Sequence, residues 1–206
     1  MPVRTRVIGD QHISNCLAAT AAALVMGIDL PTIASGLEAI TEVHGHLERL
    51  ESGQDFSVYV DGCRSPESLR NSLETLREVA DKRLIVVMDA VEDLTSPERA
   101  CLGRILEDEA DEFVITSRQT LDEDSNVVHD LLDGLDRPAR AHVLPDRAKA
   151  ICWAIGQARP GDIVLIAGGK PELFEGSDRS CHFDKEVAEY WLHNVGAGKS
   201  TPWVPA

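Results

Sequence analysis

The feature that most constrains the fold is a run of apolar strands, each followed by a helix start. Arg83 to Met88 (R-L-I-V-V-M), Glu112 to Thr116 (E-F-V-I-T) and Asp162 to Ala167 (D-I-V-L-I-A) are short apolar runs with no polar alternation. Such runs fit strands buried on both faces of a parallel sheet. Between them lie segments with helical starts. Ser65-Pro66-Glu67-Ser68 offers Ser65 as N-cap, Pro66 at the first helical position and an acidic residue behind it, and Ser96-Pro97-Glu98-Arg99 repeats the arrangement. Strands are predicted at 47–50, 56–60, 83–88, 112–116, 141–144 and 162–167. Helices are predicted at 12–26, 31–40, 66–79, 97–109, 127–135, 146–158 and 184–192. Met1 to Ile8 reads as a further short strand. The alternation argues for an α/β domain with a mostly parallel sheet covered by helices on both faces. In such sheets ligands bind beyond the carboxyl ends of the strands. The stretches to watch are therefore 61–65, 88–95, 116–123 and 167–172.

Helix 12–26 is apolar nearly all round (N-C-L-A-A-T-A-A-A-L-V-M), so it asks for cover on more than one side. Gly27 closes it. The break at His44-Gly45-His46 separates this helical segment from the alternating part.

Hydrophobic residues make up 43% of the 206-residue chain, enough for a real core, while aromatics are 4%, so Ala, Val, Leu and Ile must build it. The formal net charge of −15 repels phosphate backbones and anionic lipid, which sets nucleic acid and membrane surfaces aside as partners. Five cysteines, an odd number with no C-x-x-C pair, fit reduced thiols in a cytosol better than a disulfide framework or a zinc site. No stretch has the length of a membrane span and the N-terminus carries no signal peptide, so a cytoplasmic location is expected.

The strand ends carry motifs in a telling order. Gly9 to Ala19 reads G-D-Q-H-I-S-N-C-L-A-A, Val60 to Leu69 reads V-D-G-C-R-S-P-E-S-L, and Thr116-Ser117 is followed by Glu123. Asp146 to Ile151 reads D-R-A-K-A-I, Pro160 to Glu172 reads P-G-D-I-V-L-I-A-G-G-K-P-E, and Phe183-Asp184 precedes Glu186-Val187-Ala188. Together these resemble the Mur ligases, most closely the type that adds the third amino acid to UDP-N-acetylmuramoyl-dipeptide. Their counterparts there are G-x-F-N-V-x-N-L-L-A-A, V-D-Y-A-H-T-P-D-S-L, T-S-D-N-P-R-x-E, D-R-x-x-A-I, P-G-D-x-V-L-I-A-G-K-G-H-E and F-D-D-R-E-V-A. The resemblance covers about residues 5 to 192. It implies a three-layer, Rossmann-like C-terminal domain at 43–195, preceded by a short helical segment, 1–42, that ends the central ATPase domain. Residues 196–206 would form a flexible tail. The abrupt start at Met1 and the uncovered helix lead to the expectation that the UDP-sugar and ATPase domains are missing partners. Self-association through helix 12–26 is the alternative.

The resemblance also implies site residues. The strand-end aspartate that contacts nucleotide ribose corresponds to Asp61, with Arg64 in place of a histidine. The interdomain arginine corresponds to His46, which is shorter and mostly neutral at pH 7. Arg118 stands where the amino-acid recognition motif begins, but Leu121 replaces the arginine that forks a carboxylate. Gly168 and Glu172 survive from A-G-K-G-H-E, whereas the lysine, glycine and histidine become Gly169, Lys170 and Pro171. The family's close-approach glycine loop aligns with 89–95, where Val91 and Glu92 stand; Asp89, Glu92 and Asp93 read there as a solvated acidic turn. Cys63 beside Arg64, near a helix start, is a candidate for a lowered pKa. No catalytic residue or metal ligand is assigned.

ATP and magnesium serve the full-length family, and phosphoryl transfer needs a phosphate cradle, a lysine and metal ligands. The one glycine-lysine-serine, Gly198-Lys199-Ser200, has His193 where a phosphate loop needs its first glycine, with Pro202 just after. The chain itself is therefore expected to hold no cofactor and to be inactive alone. It reads either as the C-terminal part of a diverged peptidoglycan-precursor ligase or as a stand-alone binding or scaffold pseudoenzyme.

Overall fold

The computed structural model describes residues 2–5, 7–43, 45–117, 126–169 and 183–196, with the side chains of 183, 195 and 196 left aside. Two helices come first, α1 (Asp10–Val25) and α2 (Leu30–Glu38). Then follow β1 (Glu48–Leu50), β2 (Ser57–Asp61), α3 (Pro66–Val79), β3 (Leu84–Asp89), α4 (Ser96–Glu109) and β4 (Glu112–Thr116). The chain continues through α5 (Val127–Leu132), a 3-10 turn at Pro138–Arg140, β5 (His142–Val143), α6 (Arg147–Gln157), β6 (Ile163–Ala167) and α7 (Phe183–Gly196).

The six strands form one sheet in the order β1-β2-β6-β3-β4-β5, with β1 antiparallel to β2 and every other pair parallel. Each parallel strand alternates its side chains between two cores. Leu84, Val86, Met88, Phe113, Ile115 and Leu165 pack with Leu69, Leu73 and Leu76 of α3 and with Leu102, Ile105 and Leu106 of α4. Ile85, Val87, Val114, Val164 and Ile166 face the other way, onto Ala150, Ile151, Ala154 and Ile155 of α6 and Ala188 and Leu192 of α7. Every residue of β3 and β6 is buried, which is why neither run alternates in polarity. Burying each leucine of α3 contributes about 1.5–3 kcal/mol.

Local signals set the helix boundaries. Ser65 caps α3 in a reciprocal box with Ser68, and Asp146 caps α6 by accepting from the Lys149 N–H at 3.1 Å. Helix α4 starts one residue earlier than expected. Its cap is Thr95, whose N–H and hydroxyl both donate to the Glu98 carboxylate (2.8 and 2.7 Å), so Ser96 is already helical. Glycines let α4 and α5 touch closely. A Cβ on Gly103 would lie 2.0 Å from the Leu131 carbonyl oxygen, and one on Gly134 1.8 Å from that of Ala100.

The first expected strand is not formed: residues 2–5 and 7–8 run outside any regular element. V-R-T-R-V-I has the composition of a strand, but a strand needs a neighbour, and the sheet closes at β1. Helix α1 ends as expected, with Gly27 at φ +84° and the Ile28 N–H donating to the Ala23 carbonyl. Its flank leaves Ile13, Leu17, Leu24 and Val25 exposed, Val25 to 90%. No helix among the described residues is long and apolar enough to cross a membrane.

Candidate functional site at the carboxyl edge of the sheet

The strands β2, β6, β3 and β4 end side by side, at Asp61, Ala167, Asp89 and Thr116. Helices leave β2 and β3 toward one face, while α7 after β6 packs on the other. Loops therefore diverge on both sides of β6, the place where a crevice opens in such sheets.

Asp61 is buried, with 5% of its surface exposed. Its carboxylate accepts the Ser72 hydroxyl at 2.7 Å. Burial pushes its pKa up; the Ser72 bond, His46 nearby and the backbone N–H groups around the carboxylate pull the other way without cancelling the rise. Ser72 stands one helical turn after Ser68 on the sheet-facing side of α3.

Around Asp61 the backbone turns sharply. Gly45 has φ +73°, and Leu47 has φ +46°, the single positive value outside glycine among the described residues. A left-handed leucine costs about 1–2 kcal/mol. The Gly62 N–H donates to the Gly45 carbonyl at 2.9 Å, and the His46 N–H to that of Val43 at 3.0 Å.

Arg64 reaches over the end of β6. One guanidinium nitrogen donates to the Gly168 carbonyl at 3.4 Å and another to the Asp93 carboxylate at 2.8 Å. Gly168 has φ +83°, and its N–H donates to the Asp61 carbonyl at 3.2 Å. A Cβ there would press on Asp89 at 3.2 Å, so the β6 exit and the end of β3 touch without a side chain between them.

Behind this edge lies Arg147, buried at the start of α6. Its Nε and Nη2 donate to the two carboxylate oxygens of Asp184 at 2.7 Å each, Nη2 also to the Ala167 carbonyl at 3.0 Å, and Nη1 to the Thr116 hydroxyl at 3.2 Å. Thr116 in turn donates to Asp89 Oδ1 at 3.2 Å. One guanidinium thus ties together β4, β6, α6 and α7.

A family model for the Mur ligase, glutamate ligase domain matches residues 45–169. The chain belongs to the Mur ligase family. It is 36% identical over 190 residues to the UDP-N-acetylmuramoyl-L-alanyl-D-glutamate–2,6-diaminopimelate ligase of Geobacillus kaustophilus, covering 90% of this chain and 39% of that protein. The same-named ligase of Syntrophomonas wolfei is 37% identical over 186 residues, or 88% and 38% of the two chains. Among solved structures, a ligase of that name is similar at 26% identity with a TM-score of 0.65, over 95% of this chain and 40% of the other. The UDP-N-acetylmuramate–alanine ligase of Thermotoga maritima shares the fold at 18% identity, TM-score 0.69, over 97% and 41%. The chain thus spans about 40% of the length of the relatives it matches.

The Mur ligase resemblance names His46, Asp61, Arg64 and Gly168, and the structure gathers all four at the carboxyl edge. Arg118, Leu121 and Glu172 lie outside the described residues, as do Lys170, Pro171 and His44. Two expectations are corrected. Cys63 has no lowered pKa: it is buried, and desolvation followed by the charge of Asp61 pushes its thiol far up. In the 89–95 stretch Glu92 and Asp93 are exposed in a turn as expected, and Asp89 departs from that reading. Asp89 is the buried last residue of β3 and takes the Thr116 hydroxyl, while Asp93 is paired with Arg64. Sequence reasoning missed Ser72, for which a serine on the apolar face of a helix was the available signal, and it placed Thr116 in a motif without giving its hydroxyl a role.

Proposed function

We propose that this chain is the C-terminal part of a diverged Mur ligase-like protein of peptidoglycan-precursor synthesis and does not perform ATP-dependent amino-acid addition alone. Residues 43–195 are read as the C-terminal domain, 1–42 as the end of the ATPase domain and 196–206 as a tail. The carrying observation is one of extents. The family match runs over 45–169, whereas full-length relatives align over about nine-tenths of this chain yet only 39% of their own length. The helices α1 and α2 therefore fall in the relatives' shared sequence but outside the matched domain. The exposed Ile13, Leu17, Leu24 and Val25 supply a surface for the rest of such a protein to cover. The 206 residues hold no phosphate-binding loop.

A second reading, a stand-alone binding or scaffold protein of this family, is favoured by one feature. The crevice arginine, Arg64, is engaged by the chain's own Asp93 where the family pattern has a histidine at 64. The longest natural chain should be assayed for ATP-dependent addition of an amino acid to a UDP-muramoyl peptide, beside the 206-residue chain. Addition by the longer chain alone supports the first reading. Addition by the 206-residue chain overturns it, and no addition by either, with no reading frame upstream of Met1 encoding a phosphate loop, favours the second.

A further inference from the structure

We propose that Cys16 and His12 form a reactive thiol–imidazole pair on α1, a modification site at which a small peroxide oxidises the thiol to a sulfenic acid. Residues four apart on a helix lie on one face, one turn from each other, and here Cys16 Sγ stands 3.3 Å from His12 Nε2. His12 is a buried polar side chain, 9% exposed, whereas Cys16 is only partly buried. The base is thus held inside while the sulfur keeps a path to solvent. Neither residue follows the family pattern. G-x-F-N-V-x-N-L-L-A-A has asparagine where this chain has His12 and leucine where it has Cys16. An amide beside a leucine has no proton to pass. This chain has changed both, one into a base and the other into a nucleophile, and the fold sets the two in contact. The other described cysteines lack the combination. Cys63 and Cys152 are buried, and burial pushes both thiols up; Cys101 is exposed, but among the described residues it has no imidazole within hydrogen-bond distance.

Thr5 completes the arrangement. Its hydroxyl oxygen lies 2.9 Å from the same Nε2, accepts the Val7 N–H at 3.1 Å and has the Val7 carbonyl at 3.5 Å. While Nε2 is bare, the hydroxyl or the thiol donates to it. Once Nε2 carries the thiol proton, the hydroxyl turns its hydrogen to the Val7 carbonyl and becomes an acceptor. A thiol attacks only as its proton is drawn off, and a neighbouring imidazole is a ready recipient. The sulfur attacks the nearer peroxide oxygen; the S–O bond forms as the O–O bond breaks, and the sulfur gives up two electrons. The proton held on His12 passes to the departing hydroxide, so that Cys–SH and hydrogen peroxide become Cys–SOH and water. An uncharged oxidant fits this chain. The net charge of −15 and the exposed Ile13 and Leu17 near Cys16 on the helix disfavour an anionic disulfide.

The inference goes beyond the proposed function, and its test needs no ATP, peptide or further domain. The reduced 206-residue chain is treated with hydrogen peroxide in the presence of dimedone, which captures sulfenic acids, and the adduct at each cysteine is followed by peptide mass mapping. Cys16 is expected to be captured about tenfold faster than Cys101, a discount for partial burial on the roughly hundredfold that a positioned base supplies. Equal or faster capture at Cys101 overturns the proposal. His12→Asn restores the family's residue and should bring the Cys16 rate down to that of Cys101 while leaving Cys101 unchanged. An unaltered Cys16 rate in the folded variant overturns the proposal as well. Should that variant fail to fold, the comparison of Cys16 with Cys101 in the unaltered protein still decides.

Discussion

Replacing Arg147 by methionine removes a guanidinium that makes four hydrogen bonds and is almost wholly buried, while keeping an unbranched apolar stem in its place. The loss is asymmetric. The Asp184 side chain, 12% exposed, stays as a carboxylate with both charge-assisted bonds gone, and the Ala167 carbonyl loses its donor. Breaking one side of a buried pair costs about 3–5 kcal/mol, because the remaining charge is uncompensated. Urea unfolding reads this directly. With a slope of about 2 kcal/mol per molar, the midpoint should fall by about 1.5–2.5 M with the slope unchanged. A second replacement, Asp184→Leu in the Arg147→Met background, removes the stranded charge. It should recover most of the loss, since apolar replacement of a whole buried pair is often neutral or better. A single-variant midpoint shift below about 0.5 M, or a double variant no more stable than Arg147→Met, refutes the reasoning.

Gly134→Ala should destabilise by more than the usual 1–3 kcal/mol of overpacking, because the new Cβ meets the Ala100 backbone carbonyl, which no rotamer can move; thermal unfolding checks it. Asp61 and Asp162 should shape the pH profile of stability in opposite senses. Burial raises the folded-state pKa of Asp61, so its contribution is full below the unfolded value, about 3.9, and is lost as pH rises through the raised value; Asp61→Asn should flatten that fall. Burial also pushes Asp162 upward, but the Arg83 side chain and the N–H groups of Arg159 and Arg83 outweigh it and hold the pKa down. That contribution is present above about 3.9 and lost as pH falls through the depressed value, and Asp162→Asn should blunt the acid limb in urea titrations at stepped pH.

Much of the sheet was legible because its strands are buried on both faces. Glu112–Thr116 agrees with the observed β4 at both ends, the 83–88 reading runs one residue early at both ends of β3, and 162–167 starts one residue before β6. Turn chemistry placed the start of α3, where Ser65 caps as read, and the helix read from 146 begins at Arg147 with Asp146 as its cap. It failed by one residue at α4, since Thr95, Ser96 and Glu98 offer two overlapping capping patterns and only geometry chooses between them. The strand expected at the start had propensity but no partner. At the carboxyl edge, Asp61 could be found because it ends a strand. Its bond to Ser72 joins residues 11 apart, and that of Arg147 to Asp184 spans 37. Such pairings are set by the packing of helices on the sheet and leave no local trace. The turn at Gly45–Leu47 beside the end of β2 depends on a backbone conformation that leucine's own preferences disfavour.

The strand order has a bearing on how the protein is made. β6 follows the other five described strands in the chain, yet it lies between β2 and β3, bonded to both. A nascent chain that has emerged only through β5 can join β3, β4 and β5 into one ribbon and β1 and β2 into another, with an open slot where residues 163–167 belong. The two ribbons stay separate, each showing a bare edge, until that final segment slides in. Long-range pairing of this kind slows folding and leaves half-made sheets prone to clumping. A ribosome stalled, or a gene truncated, just short of Ile163 would thus release a sticky intermediate rather than a slightly smaller domain.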